Sequence, residues 1–171
     1  ALMLISPEMV LIFGSPKYRE AVYVIPPVAA SVFFIFIYNI LSMPQFYYEK
    51  TQFLMAASMA AAGANVVLNF IFIRLFGYIA AGYTTLACYM LYSVGHYIVS
   101  KRILVNEGIQ ENLMSPGFLV ACSVFLIGAS IICNLIFPYR ILRYAILLAS
   151  AGLVFWKKEL LLKTMADIRK K

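Results

Sequence analysis

Apolar residues gather into five long runs, residues 21–42, 53–73, 78–100, 117–137 and a shorter one at 141–156. A helix rising 1.5 Å per residue needs about 20 residues to cross a hydrocarbon core about 30 Å thick, so these runs predict five transmembrane helices, the last of them short. The breaks between them are GSPKY, MPQFYYEKTQ, RLFG, KRILVNEGIQENLMSPG and PYR. Such tight connections make successive helices antiparallel neighbours, so the pattern predicts an all-α polytopic bundle forming one unit over residues 14–156. The stretch ALMLISPEMVLIF at residues 1–13 is apolar but too short to span and reads as the end of a preceding helix. A signal peptide would require a basic start and a small-residue cleavage pattern, and neither is present. Residues 157–171 form a basic tail. Its Leu161, Met165 and Ile168 fall on one helical face among lysines, which fits either a helix lying on an anionic leaflet or a solvated end of the last span.

Composition strengthens the membrane reading. The chain is 64% hydrophobic and 12% charged, with mean hydropathy +0.89, whereas a soluble domain is about half apolar and a quarter charged. Its net charge of +7 comes from basic residues at the ends of the runs, not from a basic face interleaved with aromatics, so no nucleic-acid partner is expected. Alternating five spans places nine basic residues on the side of the tail and five on the other. By the positive-inside rule the C-terminus and the FYYEKT turn face the cytoplasm. Arg140 and Arg143, flanking the short last run, are expected to snorkel to the interface. Cys88, Cys122 and Cys133 share no metal-ligand spacing and read as small buried hydrophobes.

The informative positions are the polar ones inside the runs. Pro26 and Pro27 predict a helix start near Ile25, where first-turn amides lack intrahelical partners; a helix broken at these prolines is the competing reading. On the second run Ala57, Ala61, Asn65 and Asn69 recur every fourth residue and share a face, which must meet protein or water. The third carries Gly82, Thr85, Tyr89, Tyr92 and His96 at helical spacing, and the fourth Ser123, Ile127, Ser130 and Asn134. These stripes serve either as interhelical glue or as the lining of a substrate path, for which Asn65, Asn69, Arg74, Thr85, Tyr89, Tyr92 and His96 are the candidates. His96 is a candidate for proton coupling. No Asp or Glu lies within the five runs, and there is no phosphate-binding Gly-rich loop, HExxH or nucleophile elbow. Neither an enzyme nor a nucleotide-driven pump is expected, and no cofactor.

Taken in order, the helix end at Pro7 and Glu8, the FGSPKY turn, FYYEKT, the NxxLN run at Asn65 to Asn69 and FGYIAAGYTT at Phe76 to Thr85 carry a resemblance. Over about the first hundred residues the chain resembles the C-terminal half of Wzx-type oligosaccharide flippases, in the multidrug/oligosaccharidyl-lipid/polysaccharide exporter superfamily. The resemblance implies a C-lobe portion of a two-lobe transporter in a bacterial or archaeal cytoplasmic membrane, with a cytoplasmic C-terminus. It also implies alternating access and a lipid-linked, undecaprenyl-pyrophosphate-borne oligosaccharide as cargo. Membrane lipids and other polysaccharide assembly proteins are the implied neighbours. FYYEKT becomes a cytoplasmic hinge, with Tyr47 and Tyr48 at headgroup depth and Glu49 and Lys50 hydrated. Family cavities are often cationic, and Arg74 is the nearest basic residue available for the pyrophosphate. A drug or metabolite antiporter of the same superfamily, and a small non-transporting scaffold subunit of a polysaccharide assembly complex, are the alternatives.

Overall fold

A computed structural model describes residues 2–109 and 114–156; the expectation for the basic tail lies outside the described residues. Six α-helices appear among them: α1 (Leu2–Phe13), α2 (Ile25–Tyr47), α3 (Gln52–Phe76), α4 (Ala80–Asn106), α5 (Pro116–Ile136) and α6 (Arg140–Trp156). No strand occurs among the described residues. Residues Pro16–Val24, expected to be mostly a break, form a stretch of 3-10 helix that leads directly into α2.

Local chemistry accounts for the boundaries. α2 begins at Ile25 with Pro26 and Pro27 in its first turn, where the missing N–H groups cost nothing, so the prolines start the helix and do not break it. At the other end α2 runs past the expected break, through Met43 and Pro44 to Tyr47, and only Tyr48 to Thr51 remain as the turn. Pro7 and Glu8 lie inside α1 and not at a helix end. Proline removes the amide that would bond the carbonyl four residues back, and the Ser6 hydroxyl donates to that carbonyl, Met3 O, at 2.9 Å. α5 starts at Ser115, whose Oγ accepts from the Phe118 amide at 3.3 Å, followed by Pro116 in the first turn.

α2 and α4 form the centre, with α3 packed on α4, α5 on α2, and α1 and α6 meeting at the periphery. Two serines tie the central pair: Ser93 Oγ shares its proton between Tyr89 O of its own helix at 2.9 Å and Phe34 O of α2 at 3.0 Å, and Ser100 Oγ donates to Leu41 O. The serines are seven residues apart, as are the carbonyls they reach, so α2 and α4 run parallel in constant register. Small side chains at these positions let the backbones approach, the usual basis of tight helix pairing in membranes. At the other end of the pair, a Cβ on Gly82 would lie 2.8 Å from Pro27 Cγ and 3.0 Å from Val24 O, so glycine permits the contact. The small apolar core is Ala30, Phe34 and Leu86, with Ile37, Leu41 and Leu119 below it.

Most large apolar side chains point outward. Arg19–Tyr47, Gln52–Phe76 and Pro116–Ile136 are long and apolar enough to cross a membrane, and α3 has no buried residue. A contiguous apolar exterior of this kind calls for lipid or protein around it. α4 has the length to span but a more polar composition, because it supplies the buried polar contacts; α6, at 17 residues, is at the lower edge of a spanning length.

Arg143 does not snorkel. It is 2% exposed, and its Nη2 donates to Glu8 Oε1, which also accepts from Tyr144 Oη at 2.7 Å. The carboxylate on α1 draws the guanidinium inward and anchors α6, a pairing that run-by-run reading cannot see. Arg140 remains exposed. Two further pairs join loops at opposite ends of the bundle: Lys50 Nζ with Glu107 Oε1 at 3.3 Å, and Tyr78 Oη with Glu20 Oε2 at 3.0 Å. The FYYEKT turn and the end of α4 are therefore on one side, and the 3-10 stretch and the α3–α4 turn on the other.

Removing one member of a buried pair leaves the other charge uncompensated, so Glu8→Leu should lower stability by about 3–5 kcal/mol, and adding Arg143→Met should restore much of it. Denaturant titration of the detergent-solubilised protein checks this. By the same assay Gly82→Val should cost about 1–3 kcal/mol, since the new side chain meets backbone as well as the Pro27 ring.

Candidate functional site

The polar face of α3 meets α4 and a single tyrosine of α2 around an open cleft of about 490 Å³. Its lining includes Tyr38 of α2, Ser58 and Asn65 of α3, and Thr85, Tyr89 and Tyr92 of α4. The four-residue spacing on α3 turns Ala57, Ala61, Asn65 and Asn69 toward α4, all half-buried, where the small alanines leave room between the helices. The expected single stripe on α4 divides in two. Gly82 and His96 are buried, with Gly82 against the start of α2 and His96 bonded to its end, while Thr85, Tyr89 and Tyr92 line the cleft.

Hydrogen bonds fix the orientation of each polar group. Asn69 Nδ2 donates to Asn65 Oδ1 at 2.8 Å, and Thr84 Oγ1 donates to Asn69 Oδ1 at 2.6 Å, so Asn69 sits beside the cleft and orients Asn65. The Asn65 amide N–H pair is not used by these bonds. Ser58 Oγ gives its proton to Leu54 O at 2.8 Å, so the 2.7 Å contact with Tyr92 Oη has tyrosine as donor. Thr85 Oγ1 donates to Ala81 O at 2.8 Å. Ser58, Tyr92 and Thr85 thus keep lone pairs available, while Asn65 keeps donors. The rings of Tyr38 and Tyr89 are parallel within 9° at 6.4 Å, and Tyr38 meets Tyr92 edge to face at 4.7 Å.

His96 lies behind this aromatic wall, fully buried, with its ring 4.4 Å from that of Tyr92. Its partner is Gln45, a buried residue of α2 that run-by-run reading assigns to a polar break. Gln45 Nε2 lies 2.9 Å from His96 Nδ1 and 3.0 Å from Ser100 Oγ. Because Ser100 spends its only proton on Leu41 O, Gln45 must present its N–H groups to both Ser100 and His96. Nδ1 is then an acceptor, and the imidazole carries its proton on Nε2, which is buried without a partner among the described residues. The geometry makes His96 a structural junction between α2 and α4. The clue available in sequence was a glutamine between a proline and aromatic residues, which also fits an exposed turn.

The other candidates lie apart. Arg74, in the last turn of α3, is exposed with its guanidinium 3.9 Å from the centre of the Phe70 ring, outside the cleft. Tyr47 is 80% exposed and packs edge to face with Tyr48 at 4.9 Å. Glu49 takes φ 56°, and Lys50 N donates to Gln45 O at 2.8 Å, closing the end of α2 in a left-handed cap. With Lys50 paired to Glu107, the segment is a pinned corner between α2, α3 and α4. Among the described residues no group of three His, Cys, Asp or Glu side chains is placed to hold a metal ion.

Gln45→Leu removes the donor to His96 and Ser100 and should destabilise the protein by about 1–3 kcal/mol, measured by thermal unfolding in detergent, with Gln45→Glu failing to rescue it. No protein-family model, curated protein or solved structure matches the chain.

Proposed function

We propose that the chain forms part of a membrane flippase that carries lipid-linked oligosaccharide units, borne on undecaprenyl pyrophosphate, across a cytoplasmic membrane for surface polysaccharide assembly. The observation that carries this reading is the uncharged, aromatic and hydroxyl-rich cleft set among helices whose outer faces are apolar. A carrier needs such a recess for the hydrophilic end of its cargo. The resemblance of the FGSPKY, FYYEKT and FGYIAAGYTT segments to flippase sequences supplies the identity of that cargo.

In this reading α2 and α4, locked by their serine bonds, move as one body. α3, which has no buried residue and packs principally on α4, forms the changeable wall of the recess. The rest of the transporter closes the open side, and alternating access exposes the cleft to either leaflet in turn. The corner at Tyr47 to Lys50 joins the two bodies on the cytoplasmic side. The pyrophosphate is held outside this cleft, whose lining includes no basic side chain. The function is transport, not catalysis.

The test is reconstitution of the full-length protein in vesicles with a fluorescent short-chain lipid-linked oligosaccharide, and measurement of its transfer between leaflets by protection from an impermeant quencher. Transfer well above protein-free vesicles is expected, with Tyr92→Ala lowering the initial rate at least about tenfold at equal protein incorporation; transfer equal to the protein-free rate refutes the reading.

A further inference from the structure

We infer that the cleft between α2, α3 and α4 selects an uncharged, polyhydroxylated ring, so that it takes neutral sugar units and discriminates against acidic ones. The inference rests on the reading of this cleft as the transport site and names what the cleft recognises.

The argument starts from donor and acceptor supply. An anion needs donors or cations, a cation needs acceptors or carboxylates, and a polyol needs both, because every hydroxyl gives one proton and receives others. Asn65 presents amide N–H donors, since its Oδ1 is taken by Asn69. Tyr92 Oη, Ser58 Oγ and Thr85 Oγ1 have each committed their proton and present lone pairs. The cleft therefore offers fixed donors and fixed acceptors side by side, with no lysine, arginine, aspartate or glutamate in its lining.

Desolvation adds the discrimination. A carboxylate entering this recess would lose its hydration and meet three oxygen acceptors and no cation, with only neutral donors, the Asn65 amide and the Tyr38 and Tyr89 hydroxyls, to offset the loss. A sugar ring loses less, because its C–H bonds carry a small positive charge that suits an aromatic face while its hydroxyls meet the flanking polar groups. An organic cation would be attracted by the rings, but it would leave the Asn65 donors unmatched. The volume of about 490 Å³ falls within the usual range for a small-molecule site and accommodates one or two hexose units. Tyr89 supplies a face and Asn65 supplies direction, so these two are the specificity-determining residues.

The experiment uses the full-length protein in nanodiscs and three amphiphiles of one alkyl length: a neutral glucoside, the corresponding glucuronide, and a trimethylammonium. Binding is measured by calorimetry. The glucoside is expected to bind at least about tenfold tighter than the other two, with Tyr89→Leu and Asn65→Leu each weakening it at least about fivefold and Tyr89→Phe recovering most of the Tyr89→Leu loss. Tighter binding of the glucuronide or the ammonium overturns the inference, as does glucoside affinity unchanged by Tyr89→Leu in a variant that melts like the parent. If the leucine variants fail to fold, the ranking of the three headgroups on the parent protein decides alone. A protein that binds the glucoside yet moves no lipid refutes the transport reading and leaves this inference standing. One that moves lipid-linked neutral and acidic sugars at equal rates refutes only the inference.

Discussion

The parallel pairing of α2 with α4 through serine hydroxyls and backbone carbonyls is the constraint on which the remaining arrangement depends. Ser93 to Phe34 O and Ser100 to Leu41 O recur two helical turns apart, so the two helices can slide neither along nor around each other without losing both bonds. Individually such bonds contribute little in a membrane, about 0.6 kcal/mol on average. Their value lies in register. Gly82 can approach Pro27 and His96 can meet Gln45 only in that register, and the aromatic rings of Tyr38, Tyr89 and Tyr92 come together as a consequence.

With the central pair fixed, the cleft arises from asymmetry on α4. One face carries Gly82, Leu86, Ser93 and Ser100 and is consumed by α2; the neighbouring face carries Thr85, Tyr89 and Tyr92 and is only partly covered by α3. α3 cannot fill the gap, because Ala61 and Ala62 project too little. A second, apolar recess of about 440 Å³ lies on the opposite flank of the same contact, lined by Ala60, Ala64 and Leu91 among others. α3 thus stands on α4 between two recesses, one polar and one apolar, held by the Ser58–Tyr92 and Asn69–Thr84 bonds.

The helical character of the chain and much of the cleft were legible in the sequence, because both follow from periodicity. Asn65 and Asn69 on one face, and Thr85, Tyr89 and Tyr92 on another, need only the 3.6-residue turn to be grouped. What was not legible depends on pairing between distant segments. Arg143 reads as an interfacial residue until Glu8 is brought beside it from the other end of the chain. Gln45 reads as part of a turn until Ser100 and His96 arrive on α4. Ser93 and Ser100 carry no signal in sequence, because serine in an apolar helix ordinarily satisfies itself on its own backbone, as Ser93 does in part on Tyr89 O. Pro44 signals a stop in sequence, yet α2 continues past it to Tyr47, because a helix outlasts a proline when its other contacts hold it.

The Asn69–Asn65 bond has a consequence for how the chain is inserted. α3 packs on α4, which follows it in the chain, so a bilayer that receives the helices in order takes in α3 before its partner is present. Two amides would then enter hydrocarbon before Thr84 of α4 is there to receive them. Placed four residues apart on one helix, they satisfy part of each other's demand without a partner. The same pair that directs the cleft in the finished bundle lowers the cost of delivering α3 to the bilayer before the bundle exists.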